Sequence, residues 1–198
     1  MAQFSKKNRP QIVFDIGGVL ATNLSPIFWD RVSEHAKLSK DTLYQNYKEN
    51  ISKKLWRGHL SEAEFWGWLL LQSSEITLEK GQAFLAEALT PLPAIDKIPN
   101  WSKSADIHIL SNHVSSWVDP ILEPIRPYLS NIIISNKVGL SKPHKDVFDY
   151  VARLLPKQSV VIFVDDGIKN VQQAELLGWH GILADHDGAW IKEIDKFI

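Results

Sequence analysis

Four short segments, far apart in a chain of 198 residues, carry side chains that could act together on an anionic group. The first is Asp15, which closes the apolar run Ile12-Val13-Phe14 and is followed by Ile16-Gly17-Gly18. A carboxylate at a strand tip, with glycine backbone curling past whatever it touches, suits the sheet edge where α/β proteins bind ligands. The second is Ser111-Asn112-His113, directly after the apolar stretch 106–110, where a hydroxyl and an amide could hold an anionic oxygen. The third is Gly139-Leu140-Ser141-Lys142-Pro143. Its lysine precedes a proline expected to start a helix over 143–155, and an ammonium beside a helix N-terminus makes an electropositive corner suited to phosphate.

The fourth segment, Val164-Asp165-Asp166-Gly167, ends a very apolar run with two adjacent carboxylates, and Asn170 follows one turn into a helix expected over 168–177. Adjacent carboxylates repel unless a cation or hydrogen bonds compensate them. A hard cation such as Mg²⁺, held by a few oxygens and waters, is the economical answer. Singly, each segment has a plain structural explanation, because Asp, Ser and Asn also serve as turn and helix-cap residues. Together they supply a nucleophile, two polar anion contacts, a cation and a metal-binding pair, each just beyond a strand or at a helix start.

Elements able to bring these groups together recur along the chain. Strands are expected at 11–15, 106–110, 131–134, 160–164 and 181–183, most of them separated by helical stretches, as in a parallel sheet with crossover helices. His108 interrupts one of these runs and is expected to be a satisfied or edge histidine rather than a ligand. The segment 22–91 is different, with no convincing strand and several helix starts: Ser25-Pro26, the capping box Ser61-Glu62-Ala63-Glu64, and Thr77. Four of the eight tryptophans, Trp29, Trp56, Trp66 and Trp68, lie there, and Trp29 and Trp68 are expected to fill a small helical core. Thr90-Pro91-Leu92-Pro93 then breaks the pattern as a linker. The fold class expected is α/β: a Rossmann-like three-layer core around a central parallel sheet (1–21 and 92–198), plus a small all-helical cap (22–91) inserted after strand one.

Composition excludes several classes. The absence of cysteine rules out disulfides, thiolate metal sites and cysteine nucleophiles. A formal charge of −1 offers no general attraction to nucleic acid or anionic lipid. Lys6, Lys7 and Arg9 are taken as a solvated basic tail. No apolar run approaches the roughly 20 residues that span a bilayer, so a cytoplasmic protein without membrane partners, monomeric or homodimeric, is expected.

The ordered set Asp15, Ser111-Asn112, Lys142 and Asp165-Asp166 resembles the haloacid dehalogenase superfamily over essentially the whole chain. The similarity is to the phosphatase branch whose helical cap follows the first strand. Phe163-Val164-Asp165-Asp166 with Asn170-Val171, Ala174 and Leu177-Gly178 carries the match best. The Asp-Ile-Gly-Gly-Val form also looks like the sugar-phosphatase group that includes α-glucose-1-phosphatase, and like the amino-terminal domains of epoxide-hydrolase-like proteins. The resemblance implies that Asp15 attacks phosphorus and forms an aspartyl-phosphate that water cleaves. It implies Mg²⁺ held by Asp15, the Gly17 carbonyl and Asp166, with Asp165 close by. Ser111, the Asn112 backbone and Lys142 would hold phosphoryl oxygens, helped by the Gly17-Gly18 backbone, and Lys142 would keep its carboxylate neighbours ionised.

One position departs from the pattern. Two residues after the nucleophile most phosphatases of this kind carry a second Asp as general acid/base, and here Gly17 stands there. General acid–base help is worth roughly 10²–10⁴-fold, so poor leaving groups should suffer most. His113, His59 and His144 are candidate substitutes. Arg57, with Trp56, is the candidate contact to the non-reacting part of the substrate. The main expectation is a phosphatase acting on a small phosphorylated metabolite, most plausibly a sugar phosphate. The alternatives are a phospho-ligand-binding protein, in which Gly17→Asp would raise turnover greatly, and a 2-haloacid dehalogenase.

Overall fold

The structure, a computed structural model, describes residues 9–72 and 75–198. Five strands, β1 Gln11–Phe14, β2 Asp106–Ser111, β3 Leu129–Ile134, β4 Val161–Asp165 and β5 His180–Leu183, form one parallel sheet in the order β3-β2-β1-β4-β5. Alternation along the strands feeds two apolar layers. Ile12, Phe14, Ile107, Ile109, Ile162 and Val164 join one buried cluster, whereas Val13, Leu110 and Phe163 join the other. A strand covered on both faces must be apolar at every position, which is why β1 and β4 read as continuous hydrophobic runs.

The second layer is closed by α9 (Lys145–Leu154) and α10 (Ile168–Glu175), through Val147, Phe148, Val151 and Ala174. The first is closed by α6 (Ile98–Trp101), α7 (Ser115–Leu122) and α11 (Trp190–Ile194), with the Trp101 ring stacked 5.4 Å from Phe14. A short helix, α8 (Ser135–Val138), follows β3. This is the expected three-layer Rossmann-like core.

Among the described residues, five α-helices lie between β1 and α6: α1 Ile27–Ser33, α2 Lys40–Asn50, α3 Ser52–Trp56, α4 Glu62–Leu70 and α5 Leu78–Ala88. The Ser61 capping box and the Thr77 cap form as expected, Ser61 accepting from the Glu64 N–H and Thr77 from the Lys80 N–H. Ser25 does not cap α1, which begins one residue after Pro26 with no side-chain cap. Trp29 is buried among Tyr44, Tyr47 and Trp68, its ring 4.6 Å from that of Tyr47. The two connections of this insertion run side by side. Ala21 bridges Pro91, Thr22 N–H donates to the Thr90 carbonyl and Leu92 N–H to that of Leu20. The stretch expected as a linker is one half of a hydrogen-bonded pair.

Two further expectations need correction. Arg9 is no solvated tail residue: its guanidinium pairs with Asp106 at 2.9 Å and donates to the carbonyls of Ser102, Lys103 and Ala105. Lys6 and Lys7 lie outside the described residues. The helix expected over 143–155 starts at Lys145, after a turn in which His144 N–H donates to the Ser141 carbonyl. The backbone at 142 is held by the Asn112 side chain, so the chain cannot enter the helix there.

His108 is satisfied, as expected, although it is buried in the sheet. Nδ1 accepts from Asn131 and Nε2 donates to Gln11 Oε1, both at 2.9 Å. Burial lowers its pKa to about 4, with Asp106 pulling weakly the other way. A neutral buried histidine binds its proton more weakly than the unfolded chain does, so stability is full above about pH 6.5 and declines as pH falls toward 4. Urea unfolding at pH 7 and pH 5 should show a His108-dependent loss of ~2 kcal/mol. His108→Gln should flatten that dependence.

Candidate active site

The sheet register builds the site. Phe14 lies opposite both Ile109 and Val164, so Asp15 emerges level with Asp165 and one residue short of Ser111. Asp15 N–H donates to the Val164 carbonyl at 2.9 Å, tying the end of β1 to that of β4. Asp15, Asp165 and Asp166 each offer an oxygen, and these atoms lie within 4.8 Å of one another. Carboxylates 150 residues apart in sequence thus meet at one sheet edge.

Lys142 makes this convergence tolerable. Its Nζ lies 2.9 Å from Asp15 Oδ2 and 2.5 Å from Asp165 Oδ2, and all three residues are buried. Burial alone would lower the lysine pKa, but the two carboxylates outweigh it and hold the ammonium above its ordinary value. Burial holds the Asp165 pKa above its ordinary value, with Lys142 opposing the rise and the neighbouring Asp15 charge adding to it. Both Asp165 oxygens face donors only, Oδ2 toward Lys142 and Oδ1 toward Gly167 N–H and Asn170 Nδ2, an environment suited to the carboxylate. Asp15 Oδ1 accepts from the Ile16 N–H at 2.7 Å, so both of its oxygens are held. Three carboxylates against one ammonium leave a formal −2, and the exposed Asp166 retains one oxygen outside its protein hydrogen bond. Oxygen donors carrying excess negative charge fit a hard divalent cation such as Mg²⁺.

The glycines after Asp15 have separate reasons. Gly18 has φ +69°, and a Cβ there would run into the Asp166 carboxylate. At Gly17 a Cβ would lie 2.5 Å from Asn23 Oδ1. Asn23 therefore fills the space that a side chain at position 17 would need, while its Nδ2 donates to Asp166 Oδ2 at 2.8 Å. Nothing in the sequence singled out Asn23. Its only signal is that a short polar residue follows the Gly-Gly turn within eight positions of Asp15.

A cavity of about 340 Å³ lies between this edge and the insertion, lined by Asp15, Gly17, Asn23, Ser111, Asn112, His113, Trp29, Tyr44, Tyr47, Lys48 and Trp56 among others. A larger cavity of about 520 Å³ opens beside Gly18, toward residues 185–191. It is mostly apolar and touches none of the three aspartates, whereas the smaller one reaches Asp15. Of the candidate residues, Trp56 lines the Asp15 cavity and Arg57 does not; Arg57 Nε donates to Ser141 Oγ at 3.0 Å. Asn112 reaches the cavity, but its amide is already engaged, donating to the Lys142 carbonyl and accepting from the Lys142 N–H at 2.9 Å each. It clamps the lysine's backbone with its oxygen and one of its two amide N–H groups.

Among the three histidines proposed to replace the missing acid, His59 and His144 are exposed and do not line this cavity. His113 does, but burial lowers its pKa to about 4. Its Nδ1 accepts from the Val114 N–H, so at neutral pH it is an uncharged ring that can hydrogen-bond without delivering an imidazolium proton.

Residues 11–178 match the family model of haloacid dehalogenase-like hydrolases. The chain belongs to this family. Among curated relatives, it is similar to D-ribitol-5-phosphate phosphatase of Bacteroides thetaiotaomicron, with 29% identity over 204 aligned positions covering 92% of this chain and 95% of that one. It is also similar to a pyrimidine 5′-nucleotidase of Escherichia coli, with 29% identity over 168 positions covering 75% and 70%. A haloacid dehalogenase family enzyme of B. thetaiotaomicron shares the fold at TM-score 0.81 and 19% identity, over 94% of this chain and 98% of that one. The same enzyme in complex with magnesium and inorganic phosphate aligns at TM-score 0.70 and 18% identity, over 89% and 94%.

Lys142→Met should expose the dependence of this cluster on its ammonium. Removing one partner of a buried ion pair leaves uncompensated charge and costs roughly 3–5 kcal/mol. Urea unfolding in chelator should show a loss of that size, and a loss below ~1 kcal/mol would mean the lysine is replaceable.

Proposed function

We propose that this family member is a Mg²⁺-dependent phosphomonoesterase acting on a small phosphorylated metabolite. The observation that carries this reading is the convergence of Asp15, Asp165 and Asp166 within 4.8 Å, the first two paired with a buried ammonium. The names of two relatives, a sugar-alcohol phosphatase and a nucleotidase, support the same class of substrate. Asp15, Asp166 and the Gly17 carbonyl would hold the cation, with Asp165 beside them. Bound Mg²⁺ would neutralise charge on the phosphoryl oxygens and shield Asp15 from the incoming dianion.

In the proposed reaction, an Asp15 oxygen attacks phosphorus as the bond to the leaving oxygen breaks. Water then cleaves the aspartyl-phosphate to free phosphate and restores the carboxylate. Ile16 N–H and Lys142 orient the attacking carboxylate. Ser111, at the tip of β2, and Lys142 would contact phosphoryl oxygens. The helices between residues 22 and 91 would act as a cap over the cavity, limiting bulk solvent around the phosphoryl group while leaving room for the water that cleaves the intermediate.

Neither Gly17 nor Asn23 can donate a proton as a carboxylic acid does, so the leaving oxygen departs with water as its proton source. Turnover should therefore depend steeply on leaving-group pKa, with acyl phosphates and sugar 1-phosphates ahead of simple alkyl phosphates. Phosphate release from p-nitrophenyl phosphate should require Mg²⁺, stop on chelation and fall at least ~10³-fold in Asp15→Asn. Absence of activity with and without Mg²⁺, together with no Mg²⁺-dependent beryllofluoride binding, would sink the phosphatase reading.

The missing acid also favours a second reading, a phospho-ligand-binding protein of low turnover. The expectation that Gly17→Asp would restore activity needs revision, because Asn23 occupies the room. Gly17→Asp alone should gain little, whereas Gly17→Asp combined with Asn23→Gly should raise alkyl-phosphate turnover by ~10²-fold. Dehalogenase chemistry fits the site less well, since attack at carbon needs no cation and would leave the −2 cluster uncompensated. Metal-independent chloride release from a 2-haloacid would reverse this order.

A further inference from the structure

The cavity that reaches Asp15 carries a second charge, contributed by the insertion. Among the described residues lining it, Asp15 and Lys48 are the two with a formal charge at neutral pH. Lys48 lies in α2, on the same helical face as Tyr44 and Tyr47, which also line the cavity. Tyr47 is buried and Lys48 is exposed, so the lysine stands where a ligand can reach it. Its Nζ lies 5.9 Å from the centre of the Tyr44 ring, within cation–π range, which keeps the ammonium beside the cavity lining. Lys48 takes part in none of the ion pairs among the described residues. Lys142, by contrast, is committed to Asp15 and Asp165.

The surrounding segment has the same sign. Residues 44–60 supply Tyr44, Tyr47, Lys48 and Trp56 to the lining, and they contain Lys48, Lys53, Lys54 and Arg57 against one carboxylate, Glu49. Glu49 accepts a hydrogen bond from Gln45 rather than from a cation. In a chain of formal charge −1, this is a local excess of positive charge, of the kind that draws anionic ligands toward a cleft.

The phosphoryl group does not require Lys48, because the strand-end residues and Mg²⁺ would hold it. The lysine is therefore free for a different part of the substrate. An ammonium only donates, and its hydrogen bonds to an anionic oxygen are roughly twice as strong as neutral ones. A hydroxyl can accept such a bond but leaves the charge uncompensated. The cavity volume of about 340 Å³ is at the small end for ligand pockets. That favours a carboxylate over a second, bulkier phosphate.

Resting on the phosphatase reading, we propose that Lys48 is a specificity-determining residue that binds a carboxylate at the non-reacting end of the substrate. The favoured substrate class is then the phosphate ester of a short sugar acid or hydroxy acid, anionic at both ends. A neutral polyol phosphate would fill the same space and leave the ammonium without its partner.

The test compares ribonate 5-phosphate with ribitol 5-phosphate, which share a primary alkoxide leaving group and differ by a carboxylate against a hydroxymethyl group. The wild type should prefer the ribonate ester by ~10-fold or more in kcat/KM. Lys48→Gln should abolish that preference, Lys48→Arg should keep most of it, and Lys48→Glu should reverse it. In the Asp15→Asn background, where no turnover is needed, Lys48→Gln should weaken the Kd for ribonate 5-phosphate ~10-fold and that for ribitol 5-phosphate much less. Equal use of the two esters by the wild type, a preference that survives Lys48→Gln, or faster turnover of ribulose 1,5-bisphosphate than of ribonate 5-phosphate would overturn the assignment. If p-nitrophenyl phosphate is not hydrolysed but the Lys48-dependent Kd persists, the phosphatase reading fails and the carboxylate contact stands.

Discussion

The buried ammonium of Lys142 is the constraint around which the rest is arranged. Two carboxylates, Asp15 and Asp165, end neighbouring parallel strands at the same level, and the low-polarity surroundings of a sheet edge would drive one of them to take a proton. A single cation between them keeps both available as oxygen donors. Lys142 comes from a different crossover, so its backbone must be held in place. The Asn112 amide does this from the tip of β2, bonding both the N–H and the carbonyl of residue 142. Three of the strand ends and one loop are thereby locked into a unit before any ligand is present.

That unit was legible in the chain to the extent that its chemistry lies in strand-end motifs. Asp15, Ser111, Lys142 and Asp165-Asp166 announce themselves because polar residues interrupt or end runs that are otherwise uniformly apolar. The parallel sheet followed from the same runs, with strand ends misplaced by no more than two residues. What could not be read was how backbone and side chains share work. Asn112 reads as an anion contact because the amide type is right, but that its oxygen and one N–H also clamp residue 142 could not be read. Pro143 looked like a helix start because proline favours that position, but the Asn112 clamp delays the helix to Lys145. Arg9 looked like tail decoration because neither its carboxylate partner nor its three carbonyls are near it in sequence.

The insertion was legible as helices and opaque as a binding wall. Aromatic residues at helical spacing predict burial, and Trp29 and Tyr47 are indeed buried. Only the packed arrangement reveals that these rings share a cavity wall with Lys48. The insertion is also held to the core by polar contacts, which hydrophobic patterning does not register. Glu62, in the first turn of α4, accepts from Ser116 Oγ and from the indole N–H groups of Trp66 and Trp117. Burial works against its ionisation, but these three donors hold its carboxyl below the usual range. The contact fixes the insertion against α7, so the cavity wall is set by charge-assisted hydrogen bonds as well as by the aromatic cluster.

Asn23 joins the two halves of this arrangement. It follows directly on the backbone pair that carries the chain out to the insertion and back, Thr22 with Thr90 and Ala21 with Pro91. Its amide nitrogen holds Asp166 and its amide oxygen takes the volume above Gly17. Exchanging a carboxylic acid at position 17 for glycine plus a distant asparagine removes a proton donor, yet it keeps a polar group over the aspartate cluster. The oxygen that would have carried a proton is replaced by one bonded to carbon alone, and an amide N–H steadies Asp166 instead. In the proposed reaction such a site would bind and orient an anion next to a nucleophile more than assist a reluctant leaving group. The contacts made by the rest of the substrate would then bear a larger share of the discrimination, and the helical wall opposite Asp15 offers Trp29, Tyr44, Tyr47, Lys48 and Trp56 for them.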